Sequence, residues 1–176
     1  SPGAPDVHTS HATLLSQAKK ISCGDRTEVI GVLKLPLKIS ERDDITIIYP
    51  VHLNPNVKDV VYELLAGQKN ILLISPVSYP AFVWLMQQSF LIVTDSGGIQ
   101  EEAPSLGKPV VVTRSVSERP EGVAAGFSTL VGTDKNKIVN AIQNILDNFT
   151  GFDNLTNPYG NGNASKQVVD YLLKQH

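Results

Sequence analysis

Cysteine is nearly absent, and so is any surplus of positive charge. One thiol, Cys23, occurs in 176 residues, so no intrachain disulfide can form and no zinc cluster can be built from cysteines. That fits a reducing compartment. Long apolar runs are missing as well: Ile71–Ile74 and Val110–Val112 fall far short of the roughly 20 residues that cross a bilayer. Ser1–Thr13 lacks the charged-then-apolar pattern of a secretory leader, and the expectation is a soluble, cytoplasmic protein without membrane contact. Fifteen Lys and Arg stand against 17 Asp and Glu, a formal charge of −2, which argues against a nucleic-acid binder but leaves a small phosphorylated ligand open. With 41% hydrophobic and 18% charged residues, the composition is globular, and the length suits one domain over 1–176.

From residue 45 onward, short β-branched runs alternate with helical periodicity, the signature of βα units and a parallel sheet. Strands are expected at Ile45–Val51, Asn70–Ser75, Phe90–Thr94, Pro109–Thr113 and Phe127–Val131. Helices are expected from Pro55 to Gly67, over Tyr79–Met86, over Ile99–Leu106, over Lys135–Asn148 and over Ala164–Lys174. Residues 1–44 carry weaker signals: a helix at Ser10–Lys20, a strand at Glu28–Leu33, and no clear period in Leu33–Ser40. The fold class is α/β, a Rossmann-like parallel sheet with helices on both faces.

Ligands of open parallel sheets bind beyond the carboxyl ends of the strands, where helix N-termini aim free N–H groups at one crevice. Three polar segments belong there: His52–Asn56, Asp95–Gly98 and Ser117–Glu121. Ser96, Gly97 and Gly98 form the sharpest signal, because two residues without Cβ let backbone N–H groups close on phosphate oxygens. The same spacing also suits a strand-to-helix turn with a Ser N-cap. It is neither a P-loop nor a three-glycine dinucleotide fingerprint. Glu101 and Glu102 follow one turn into the helix, where a carboxylate either accepts from ribose hydroxyls or favours the helix's positive end, one of the two facing solvent. Arg119, between Glu118 and Glu121, suits a surface ion-pair network or a guanidinium held for phosphate. His52 is expected at the sheet edge, with structural and catalytic readings both open. Phe82 and Trp84 read as packing residues, with one aromatic available to cover a base.

Read in order, these segments resemble a known family. Tyr49-Pro50-Val51-His52-Leu53-Asn54-Pro55-Asn56-Val57, then Thr94 to Arg114 (TDSGGIQEEAPSLGKPVVVTR), Glu118-Arg119-Pro120-Glu121, Leu130-Val131-Gly132-Thr133-Asp134 and Asn157-Pro158-Tyr159-Gly160-Asn161-Gly162-Asn163-Ala164-Ser165 are similar to the carboxyl-terminal half of bacterial non-hydrolysing UDP-N-acetylglucosamine 2-epimerases. The resemblance runs from about residue 45 to the end. It implies one half of a two-domain, B-type glycosyltransferase-like fold in which this domain holds the nucleotide. Ser96, Gly97 and Gly98 would take the diphosphate, Glu102 the ribose and Phe82 the neighbourhood of the uracil. Arg119 would sit near the phosphates or sugar, and His52 in the activator or substrate region.

The implied reaction inverts C2 of UDP-N-acetylglucosamine to give UDP-N-acetylmannosamine, by elimination of UDP and its re-addition with reprotonation at C2. No metal or other cofactor is implied. The family's Gly-Thr-Arg-Pro-Glu and His-Arg-Arg-Glu-Asn segments have no counterpart here; Ile30–Lys38 reads IGVLKLPLK. The expectation is therefore weak UDP binding and little turnover without an amino-terminal domain or a full-length epimerase as partner, with a homodimer among the assemblies implied. The alternative is a non-catalytic UDP-sugar binding or regulatory module.

Overall fold

The computed structural model describes residues 28–29, 44–153 and 155–174. The helix expected at Ser10–Lys20, the Leu33–Ser40 stretch, the Ile30–Lys38 segment and Cys23 lie outside the described residues. β1 is Glu28–Val29, the described part of the strand expected at Glu28–Leu33. It pairs in parallel with β2, Ile47–Pro50, which pairs in parallel with β3, Ile71–Ile74. A second parallel set joins β4, Ile92–Thr94, to β5, Val110–Val112, and β5 to β6, Ser128–Leu130. β1 also lies beside β4, so the strands follow one another as β3-β2-β1-β4-β5-β6. That is the doubly wound order, whose switch point falls between β1 and β4.

Helix α1 spans Pro55–Leu65, α2 Tyr79–Gln88, α3 Gly97–Glu102, α4 Pro120–Ala124, α5 Lys135–Asn148 and α6 Ala164–Leu173. Successive side chains of a strand face opposite sides of the sheet, and here both sides are covered. Leu91, Val93 and Val111 pack with Ile138, Ile142 and Leu146 of α5. The intervening Ile92, Val110 and Val112 pack with Met86 of α2 and with Ala103. Burial on two faces is why these strands read as unbroken apolar runs.

Two elements differ from the sequence expectation. The helix expected at Ile99–Leu106 starts two residues earlier, at Gly97, and changes at Ala103–Leu106 into a 3-10 turn that ends on Gly107 with φ 67°. Pro104, which has no N–H to donate, accounts for the change. The polar outlet after β5 contains α4, whose first residue is Pro120, a residue preorganised for that position. The last helix forms as expected, but none of its residues is buried and Val168, Val169, Tyr171, Leu172 and Leu173 are exposed. No described element covers its apolar side.

Candidate functional site

β4 delivers Asp95–Gly98 to the switch point. Thr94 is buried, and its Oγ1 accepts the Ser96 N–H at 3.0 Å. Ser96 then takes the N-cap position of α3, yet its side chain makes no capping hydrogen bond. Its carbonyl instead accepts from the backbone N–H of Gln100 at 3.3 Å and from Gln100 Nε2 at 3.1 Å. The first amides of a helix have no partner within it. Asn54 and Asp134, by contrast, cap α1 and α5 through their side chains.

The fold does not require glycine at 97 or 98. Neither has a positive φ. A Cβ at Gly97 would lie 3.8 Å from Arg119 Nη2, and one at Gly98 would lie 3.9 Å from Ser96 Oγ, both ordinary contacts. Glycine in a helix costs about 0.5–1 kcal/mol relative to alanine, and neither φ nor packing among the described residues accounts for two in succession. Gly122 is the opposite case: a Cβ there would stand 2.5 Å from the Tyr159 hydroxyl.

Arg119, at the N-cap of α4, reaches across to α3. Its Nε donates to Glu101 Oε1 in a short charge-assisted bond, and its Nη1 donates to the Glu118 carbonyl at 2.9 Å. Glu101, with smaller help from Glu118 and Glu121, raises the guanidinium pKa. The ion-pair reading therefore holds, the main partner being Glu101 rather than the sequence neighbours. Ser117 ties the same loop down: its Oγ accepts the Arg119 N–H at 3.0 Å and donates to Gln100 Oε1 at 2.7 Å. Gln100 is fully buried.

Adjacent carboxylates thus diverge, and neither simply faces solvent. Both are half-buried; Glu101 meets Arg119, whereas the charge of Glu102 lies close enough to the Tyr79 hydroxyl to raise the pKa of that phenol. Phe82, half-buried on α2, packs against the cluster of Met86, Ile92, Ala103, Val110 and Val112, so at least part of its ring serves the core. Trp84 packs against Ile48, Ile74 and Leu85, which bears out its structural reading. His52 is exposed beyond β2, two strands from β4, and its Nδ1 accepts the Asn54 N–H at 3.1 Å. Among the described residues nothing links that ring to the Ser96–Arg119 network. Burial, and secondarily Asp95, raises the pKa of Tyr49.

Tyr79 and Gln100 carry no local signal in the sequence, since each gains its place from a partner in another segment. Ser117 stands out only as part of Ser117–Glu121, and Tyr159 only as part of Asn157–Ser165, which opens with the Asn157–Gly160 turn. That turn is closed by the Tyr159 N–H donating to Asn157 Oδ1 at 3.0 Å and anchored by Asn157 Nδ2 donating to Ser105 Oγ at 2.9 Å. No group of His, Cys, Asp and Glu among the described residues could hold a metal, and no helix among them is long and apolar enough to cross a membrane.

Comparison with known proteins gives this arrangement a family. A UDP-N-acetylglucosamine 2-epimerase family model matches residues 20–173. The chain is 52% identical to the Escherichia coli O157:H7 UDP-N-acetylglucosamine 2-epimerase over 132 residues, 73% of this chain but 35% of that protein. It superposes on the Neisseria meningitidis UDP-GlcNAc 2-epimerase bound to UDP-GlcNAc with a TM-score of 0.76 at 38% identity, covering 93% of this chain and 49% of the other. An S. aureus MnaA–UDP co-structure gives a TM-score of 0.78 at 32% identity, over 98% and 49%. The chain therefore spans a third to a half of the length of these relatives. The match takes in both loops that meet at the β4 outlet as well as the sheet that carries them, and on that breadth the chain belongs to the UDP-N-acetylglucosamine 2-epimerase family.

Proposed function

We propose that this chain is the nucleotide-binding, carboxyl-terminal domain of a UDP-N-acetylglucosamine 2-epimerase, and that it holds the diphosphate of a UDP-sugar at the Ser96–Gly98 turn. The observation that carries this reading is the pair of glycines whose packing and φ values do not call for glycine, the first of them facing the Arg119 guanidinium. Bare amides at a helix start and a guanidinium together make an anion site. Two relatives described above bear UDP-GlcNAc or UDP in their structures, which supports the same ligand class here.

Glu102 accepts from the ribose hydroxyls, and the exposed edge of Phe82 lies toward the base. In the epimerisation, the C1–O bond to the diphosphate breaks as C2 loses its proton, and charge accumulates on the departing UDP. Ser96–Gly98 and Arg119 stabilise that charge without reorganising. His52 belongs to a neighbouring part of the substrate or activator region rather than to the diphosphate site. Proton transfer at C2 is assigned to groups of an amino-terminal domain, the partner on which turnover depends.

Calorimetry with UDP tests the binding claim: a measurable heat that saturates in the micromolar to millimolar range supports it, and none at millimolar UDP with an intact circular dichroism spectrum overturns it. Epimerase assays with and without an added amino-terminal half test the catalytic claim. Restored turnover supports it, whereas UDP binding without restored turnover favours a non-catalytic module.

A further inference from the structure

We infer that Tyr159 is a positioning residue, a brace by which the Asn157–Gly160 turn fixes Arg119 over the Ser96–Gly98 turn. The inference rests on the UDP reading for its consequence, but its geometry stands alone. The turn touches both limbs of the site. Asn157 Nδ2 donates to Ser105 Oγ in the 3-10 segment that continues α3, and α3 carries Glu101. Two residues on, the Tyr159 hydroxyl is buried against Gly122 of α4, where even a Cβ would come within 2.5 Å of the hydroxyl oxygen and 3.3 Å of Cζ. Arg119 is the N-cap of that same helix.

The hydroxyl is buried and meets the Gly122 backbone without a hydrogen bond of full geometry. Its service is therefore steric: the ring and oxygen fill the notch that a glycine leaves. The phenol is also close enough to feel Glu121, Glu101 and Arg119, which puts it beside the ion pair it braces. Among the described contacts at this edge, Ser117 holds only the Arg119 backbone N–H to Gln100 of α3, and Glu101 alone holds the far end of the long arginine stem. A guanidinium that wanders gives up the geometric part of phosphate recognition.

The test uses the whole 176-residue chain and two readouts. The first is the 15N-resolved Nε–H signal of Arg119, which bonding to Glu101 shields from exchange. Tyr159→Ala should lose that signal, and Gly122→Ala, which drives a methyl into the hydroxyl, should lose it too. Adding Tyr159→Phe to Gly122→Ala removes the colliding oxygen and should bring it back, with an intact circular dichroism spectrum in all three variants showing that the loss and the rescue are local. The second readout is affinity. Tyr159→Ala should weaken UDP about tenfold, the scale of coupling between residues in contact, while leaving uridine unchanged and adding nothing in an Arg119→Ala background. Retention of the Nε–H signal in folded Tyr159→Ala overturns the proposal, and so does failure of the double variant to restore the signal lost in Gly122→Ala. Equal losses for UDP and uridine also overturn it. If the unaltered chain binds no UDP, the functional reading falls, and the Arg119 signal still decides the brace.

Discussion

Ser117 Oγ donates to the buried Oε1 of Gln100 at 2.7 Å while accepting the N–H of Arg119 at 3.0 Å. One hydroxyl thus fastens the β5–α4 loop to α3. Removing it leaves a buried carboxamide oxygen and a backbone donor unpaired. Ser117→Ala should destabilise the fold by about 1–3 kcal/mol, read as a lowered denaturant midpoint with unchanged slope, and should weaken UDP. Unchanged stability would mean that water replaces both bonds.

Gly97→Ala separates fold from function. The position is helical, its φ is not positive, and a Cβ finds ordinary contact distances. Stability should therefore hold or rise by up to about 1 kcal/mol, while UDP affinity falls because the methyl stands where a phosphate oxygen approaches. Gly97→Val should lose more affinity, through crowding of Arg119 and the ligand rather than through strain in the turn. Full UDP affinity in a folded Gly97→Ala protein would refute the cradle.

Glu102→Ala should cost about 1.5–3 kcal/mol of UDP affinity through loss of charge-assisted hydrogen bonds, with the circular dichroism spectrum unchanged. The loss should vanish when the ligand lacks both ribose hydroxyls. Calorimetry with UDP and with its 2′,3′-dideoxy analogue checks both halves of the statement.

Three of the five tyrosines should ionise late. Tyr49 is shifted upward by burial and Asp95, Tyr159 by burial and Glu121, and Tyr79 by Glu102. A phenol whose folded pKa lies above the unfolded value of about 10 contributes stability that is fully present below pH 10 and is lost as pH rises through the folded value. An absorbance titration at the phenolate band should resolve late-ionising groups in the folded chain and none in urea, and Tyr159→Phe should remove one of them. A single transition near 10 in the folded protein would contradict the burial of Tyr49 and Tyr159.

Ile142 tests the scaffold independently of the site. Its side chain is completely buried under the sheet beside Ile138 and Val111. Ile142→Ala should cost about 2–5 kcal/mol in chemical denaturation while leaving UDP affinity of the folded fraction unchanged. A fall in affinity would mean that α5 communicates with the crevice.

The amino-acid sequence alone sets out the strands of the sheet and most of its helices. Val110–Val112 and Ile92–Thr94 lie in strands buried on both sides, which leaves their apolar runs unbroken, and Lys135–Asn148 shows a clean helical period because one face meets the sheet. It also singled out Asp95–Gly98, since consecutive glycines at a strand outlet are conspicuous locally. Tertiary structure decided the rest. That Glu101 turns to Arg119 while Glu102 turns to Tyr79, that Gln100 is reached by Ser117, and that Gly122 exists to receive Tyr159 all depend on loops brought together by strand order. Side-chain partners from different loops leave no periodicity along a chain, because their distance in sequence is set by the elements between them and not by the contact itself.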